Sequence, residues 1–387
     1  MKVQQLAGAA LFAVVAIGLV SWSLLTTKRE QNQQQEKVEL EQKLPFLQVT
    51  GKIGGEKVGF LSDLEVIRIL RERYRLEVKA QKSGSLAMMH TSIEGLDFLW
   101  PASRGSAELF RGQALKVDDV MNSPIVVFSW RAVAEAFAKP VSLPSSGVSG
   151  AGAEQAKPIV EKIGDSHLVL DMPRFVAAME AKLPWKQVGL PELFGSVKVK
   201  LTSPAESNSG YAFTGLLMNT MNGGEIPDAA AAMQLTPRVE RLYRAMGRLE
   251  DSSGTLFKVY LSQGLGAHPM VVAYENQLIE FSQENPQLVD TVRSQIAVLY
   301  PRPTTWASHP MIALSEGGKR LLEALTTDPD LKKIAWERHG FRVGLMSNNV
   351  SLPPSLKEIG IAPAIQSVQE MPTTVVMEQV LQAVSGR

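Results

Sequence analysis

The residues best suited to chemistry in this chain are small hydroxyls and amides at the ends of apolar segments. Thr202-Ser203-Pro204-Ala205-Glu206-Ser207-Asn208-Ser209-Gly210 is the densest group. It follows the alternating stretch Val197–Leu201 and precedes the apolar run Tyr211–Met218. A strand, a polar loop and a helix start leave backbone N–H donors free at the first turn. The positive end of the helix dipole then favours an anion or a polar oxygen. Read alone, Ser207 or Ser209 is a helix cap. Three further junctions of the same kind, at Ser83-Gly84-Ser85, Pro101-Ala102-Ser103 and Ser129, turn that reading toward a cleft lined by such loops.

Catalytic groupings are not visible. The sequence contains neither a Ser-x-x-Lys pair nor a Gly-x-Ser-x-Gly elbow. His90, His167, His268, His309 and His339 stand far apart, without metal-ligand spacing. Asp118 with Asp119, and Asp328 with Asp330, read as loop or capping carboxylates. Cysteine is absent, which excludes disulfides, thiolate metal sites and a cysteine nucleophile. No cofactor and no metal are expected, and an enzyme is the weakest reading.

The elements that must hold these junctions alternate between strand and helix. Strands are expected at Val49–Phe60, Leu76–Ala80, Leu96–Trp100, Asn122–Trp130, His167–Leu170, Pro269–Glu275, Ile296–Pro301 and Met311–Leu314. Between them lie helices capped by Asp63 and by Asp171, the latter with Pro173 in its first turn. Asn122–Trp130 is almost wholly apolar, as a strand covered on both faces should be. Glycines 51, 54, 55 and 59 are too irregular for a nucleotide fingerprint. Met88 and Met89 read as core filler. This alternation is the signature of an α/β fold.

Leu6–Leu25 is apolar, with no charge between Lys2 and Lys28, and is long enough to cross a bilayer. Its end offers only Ser21-x-Ser23 as a cleavage site, so an uncleaved anchor over residues 1–27 is expected rather than a signal peptide. Residues 28–43 are a polar tether. With 387 residues, two folded units are expected, and a formal charge of +1 gives no reason to expect a nucleic-acid partner.

The ordered set Gly59-Phe60, Lys82–Ser85, Asp97–Pro101, Asn122–Val126, Thr202–Pro204 with Ser207–Gly210, Ala273–Glu275, Tyr300-Pro301 with His309-Pro310, and Gly340–Arg342 resembles a known family. It is similar to extracellular solute-binding proteins of the type II periplasmic-binding-protein fold. The closest likeness is to the solute-binding regions found ahead of von Willebrand factor A domains in some bacterial proteins. It runs from about residue 44 onward. No von Willebrand domain follows here, and Val343 stands where a proline is expected after Phe341-Arg342.

The resemblance implies two lobes around a ligand cleft, hinged on two crossing strands near Pro124–Trp130 and Pro269–Tyr274. Lobe one would comprise 44–125 plus 270–387, and lobe two 126–269. The cleft residues would be Ser83, Gly84, Ser85, Trp100, Ser103, Ser129, Ser207, Asn208, Ser209, Gly210, Tyr274 and Glu275. Trp100 and Tyr274 would be flat walls. Glu275 would repel an anion, unless it pairs with Arg or Lys or meets a ligand amine. The implied function is a membrane-anchored extracytoplasmic solute-binding protein, single-pass in the inner membrane, holding a small polar and possibly anionic ligand for transport or sensing. Its partner would be a transporter permease. The alternative is a scaffold in an envelope complex, with a von Willebrand factor A-type partner.

Overall fold

The structure is a computed structural model and describes residues 46–143, 156–164, 167–342 and 352–385. The expected anchor and tether, residues 1–43, lie outside the described residues. So does most of the Ser/Gly/Pro-rich stretch Lys139–Gly152. Among the described residues, no helix is long and apolar enough to cross a membrane.

In chain order the strands are β1 (Leu47–Ile53), β2 (Leu76–Lys82), β3 (Phe98–Trp100), β4 (Lys116–Asp119), β5 (Ser123–Trp130), β6 (Val160–Ile163), β7 (His167–Asp171), β8 (Met270–Tyr274), β9 (Ile296–Arg302), β10 (Trp306–Ala307) and β11 (Pro310–Ala313). They form two sheets. The first has the order β2-β1-β3-β11-β4. The second has the order β10-β5-β9-β7-β6, with β8 also paired to β5. In the first sheet β1 pairs parallel with both β2 and β3, so the loops after all three emerge at one edge. Val49, Ile53, Phe98 and Trp100 are buried there with Phe60, Leu321 and Leu325 from the covering helices. Asp63 caps the helix Leu64–Glu72, and Asp171 caps Met172–Glu180, as their positions before apolar periodic runs require.

Every residue of β5 from Ser123 to Ser129 is buried, which explains its unbroken apolar sequence. β8 runs antiparallel to it, with Ile125 opposite Tyr274 and Ser129 opposite Met270. The two expected hinge strands therefore lie against one another. The return to the first sheet does not run directly from β8, however. β9, apolar and buried through Tyr300, pairs with β5 antiparallel and with β7 parallel, and so belongs to the second sheet. Only after β10 does the chain re-enter the first sheet, as β11.

The segment 270–387 is thus divided. The helix Thr374–Ser385 packs through Val376, Val380 and Val384 with Val239 and Tyr243 of the helix Ala229–Met246, beside the second sheet, and through Met377 with Leu99 and Ile312 of the first.

Candidate functional site

Four loops meet between the two sheets. Gly54, Gly55 and Glu56 follow β1, and Ser83, Gly84 and Ser85 follow β2. From the other side come Ser207 and Asn208, at the start of the helix Asn208–Met221, and Ser252 and Ser253, at the start of Ser253–Ala267. With Tyr274 at the end of β8 they enclose a cavity of about 10 Å³. That is room for about one water molecule, so the four loops stand nearly closed on one another. Two helix starts border this space; at one the Gly210 N–H is taken by Thr202 Oγ1, and at the other the Thr255 N–H by Ser252 Oγ.

The two sides touch directly around the cavity. The backbone N–H of Leu86 donates to the Glu206 carbonyl at 3.3 Å. A Cβ on Gly84 would overlap that same carbonyl oxygen, so only glycine permits this approach. Ser103 Oγ donates to Asn208 Oδ1 across the gap. The Asn208 amide then donates to Tyr274 Oη at 3.0 Å. Ser85 Oγ accepts from the Ala102 N–H at 3.0 Å, which fixes the β2 loop to the loop after β3.

Behind the cavity lies a buried ionic group. The Lys57 ammonium, wholly inaccessible to solvent, pairs with the Glu56 carboxylate and meets His309 Nδ1 at 3.1 Å. Burial favours a neutral Glu56, but the adjacent Lys57 charge and the His309 contact prevail and hold its carboxyl far below the usual carboxylate range. Burial, then the Lys57 charge, pushes His309 down to about 4 against the opposing pull of Glu56. The imidazole is therefore neutral at pH 7, accepting from Lys57 through Nδ1. Its Nε2 is buried without a partner among the described residues. The group presents an ionised carboxylate at the cavity wall, balanced by an ammonium that solvent does not reach.

Of the twelve residues derived from the sequence, Ser83, Gly84, Ser85, Ser207, Asn208 and Tyr274 line the cavity. Ser103 reaches it through Asn208. Ser209 and Gly210 stand one step behind. Thr202 Oγ1 lies 2.8 Å from Ser209 Oγ and accepts from the Gly210 N–H at 2.9 Å. Ser207 occupies the N-cap position, but its side chain makes no capping hydrogen bond. The preceding Val197–Leu201 is extended, with Val197, Val199 and Leu201 buried, yet it joins the sheet only through an isolated bridge from Lys200 to Val271.

Three residues lie elsewhere. Trp100 is buried in the first core, with Nε1 donating to the His309 carbonyl at 2.9 Å, so it is not a cleft wall. Ser129 is at the far end of β5 and donates to the Pro269 carbonyl at 2.9 Å. Glu275 is ion-paired. Arg342 Nε and Nη2 each donate to its carboxylate at 2.7 Å, and Tyr300 Oη donates at 2.5 Å. This resolves the electrostatic objection, since the Glu275 charge is spent on Arg342, supplied by the Gly340-Phe341-Arg342 motif.

Glu56, Lys57, His309, Ser252 and Ser253 are absent from the sequence-derived set. Asp251-Ser252-Ser253-Gly254 has the same hydroxyl cluster before an apolar helix as Ser207–Gly210 and could have been found by that signal. For Glu56, Lys57 and His309 no local signal exists, because they are 252 positions apart and only the fold joins them.

No protein-family model matches this chain, and no curated protein matches it. Solved structures do. The periplasmic molybdate-binding protein of Azotobacter vinelandii aligns at 13% identity over 76% of this chain and 99% of its own, with a TM-score of 0.42. The sulfate-binding protein of Mycobacterium tuberculosis aligns at 11% identity over 86% and 96%, with a TM-score of 0.49. A substrate-binding protein of a putative phosphate ABC transporter from Clostridium perfringens, with bound phosphate, aligns at 14% identity over 77% and 100%, with a TM-score of 0.42.

Proposed function

We propose that this chain is an extracytoplasmic solute-binding protein that encloses a small polar solute between its two lobes. The observation that carries this reading is the convergence of hydroxyl-bearing loops and two helix starts from both sides on one small enclosed space. Serine hydroxyls and helix-start N–H groups donate to ligand oxygens, and the Asn208–Tyr274 pair fixes orientation. Lys57 offsets Glu56, so an oxyanion is not repelled by a net negative wall, while the Glu56 carboxylate suits a ligand that also presents a hydroxyl. Closure of the lobes on the solute is the readout for a transporter permease or a sensing partner.

In this reading Leu6–Leu25 anchors the protein in the inner membrane, with the folded part on the outer side. The test is native mass spectrometry of the purified chain, followed by calorimetry with whatever co-purifies and with sulfate, phosphate and molybdate. A stoichiometric solute whose affinity falls on replacing Asn208 with alanine supports the reading. A chain that carries no solute and binds none of the three anions sinks it.

A second reading has an observation of its own. Ser103 and Asn208 join the two sides directly, and Asn208 is held in turn by Tyr274. A scaffold locked shut by these contacts, engaging a von Willebrand factor A-type protein in an envelope complex, would bind nothing in the cavity. It would keep the same scattering profile in every solute.

A further inference from the structure

Beside the second sheet, residues 182–186 and 194–198 run antiparallel as a short ribbon. Val197 N–H donates to the Leu183 carbonyl at 2.7 Å and Trp185 N–H to the Gly195 carbonyl at 3.2 Å, with Pro184 bridged to Ser196. Alternation sorts the side chains. Leu183, Trp185, Val197 and Val199 are buried, whereas Lys182, Lys186, Phe194 and Lys198 are exposed on the other face. Lys200 extends the row, with its ammonium donating to the carbonyl of exposed Arg248. The acids nearby are Glu192, exposed in the connecting loop, and Glu250, half-buried beside Lys200. Phe194 is fully exposed. It sits in a loop bounded by Gly189 and Gly195, both with positive φ, which hold the turn in conformations that other residues rarely adopt.

We infer that this ribbon is a membrane-contact surface, in which Phe194 enters the headgroup region while Lys182, Lys186, Lys198, Lys200 and Arg248 face anionic phospholipid. A fully exposed aromatic at the end of a row of cations is the composition of an interfacial contact, where apolar area and attraction to anionic lipid add. Lipid is favoured over a protein partner because Leu6–Leu25 keeps the folded part near a bilayer, so this inference rests on the anchor reading. The chain between Leu25 and Phe46 reaches at most roughly 70 Å. A folded part of this size has a radius of gyration of about 20 Å, so either side of it can meet the surface. The contact is independent of what the cavity holds.

The chain has no cysteine, so a single Phe194→Cys variant of the full-length protein accepts one environment-sensitive fluorophore. It is reconstituted into phosphatidylcholine vesicles with and without about one-third phosphatidylglycerol. The expected result is a blue-shifted emission, quenched by brominated acyl chains, in the anionic vesicles alone. The shift should be lost in 1 M salt, where the screening length falls to about 3 Å, and in a Lys186→Glu/Lys198→Glu background. A label at Leu64→Cys, 84% exposed on the first lobe, should stay water-like throughout. Water-like emission at 194 in protein that floats with anionic vesicles overturns the inference while sparing the anchor. Equal shifts at 64 and 194 overturn it as well, as does protein that floats with neither vesicle.

Discussion

Glu275 and Arg342 show how a residue's meaning depends on its partner. Each is almost completely buried, and their two parallel hydrogen bonds are supported by Tyr300, whose hydroxyl also accepts from the Ala362 N–H at 2.9 Å. Replacing Glu275 with alanine strands a buried guanidinium, so unfolding in urea should show a loss of about 3–5 kcal/mol. A loss below about 1 kcal/mol would mean the pair is solvated in solution. His309 makes a separate prediction. Its folded value near 4 lies below its ordinary 6.5, so the unfolded chain binds the extra proton between those values. Stability from keeping it neutral is complete above pH 6.5 and declines as pH falls toward 4, by at most about 3 kcal/mol. His167 and His268 are also shifted downward by burial and add slope of the same sign. Glu56 adds slope of the same sign at the acid end of this window, where the unfolded carboxyl, ordinarily at 4.5, takes up a proton that the folded one does not. Urea midpoints measured from pH 7 to 4 should therefore fall less steeply in His309→Gln than in the parent, and an unchanged slope would contradict the buried neutral imidazole.

At the scale of elements, the loop after β2 sets how closely the lobes approach. Gly84→Val puts branched carbon against the Glu206 carbonyl and should hold the lobes apart. Overpacking of this kind costs about 1–3 kcal/mol. Solute affinity should therefore weaken by about ten- to a hundred-fold, and the radius of gyration from small-angle scattering should rise. Unaltered scattering and affinity would show that the loop yields instead. Most of these elements were readable beforehand. Capping aspartates stood before apolar periodic runs, and β5 and β8 were continuous apolar segments, because local propensity and burial act on neighbours in sequence. Trp100 and Ser129 were misread for a physical reason. A strand end looks the same in sequence whether it opens on a cleft or on the core, and only the packing of Phe60 and Phe341 near Trp100, or of Pro269 on Ser129, decides it.

For the molecule as a whole, the full-length chain should fractionate with membranes and become soluble when residues 1–27 are removed. A mature N-terminus near Leu24 by mass spectrometry would instead show a cleaved signal. Two folded units were expected from chain length and two lobes from the family resemblance, whereas the path of the last hundred residues was not. β9 and the helix Thr374–Ser385 join the second sheet's side because their partners, β5 and the helix Ala229–Met246, lie far away in the chain.

That path has a mechanical consequence. β1, the first described strand, belongs to one lobe, and the final helix lies at the seam, packing on the other through Val376, Val380 and Val384 and beside Leu99 and Ile312 of the first sheet through Met377. If the first is tethered to a bilayer, closing the lobes swings the second relative to that tether. In the proposed function the final helix would then sit at the seam across which the lobes move. A pair of dyes, one near Leu47 and one near Thr374, would register solute occupancy as a change in distance without touching the cavity.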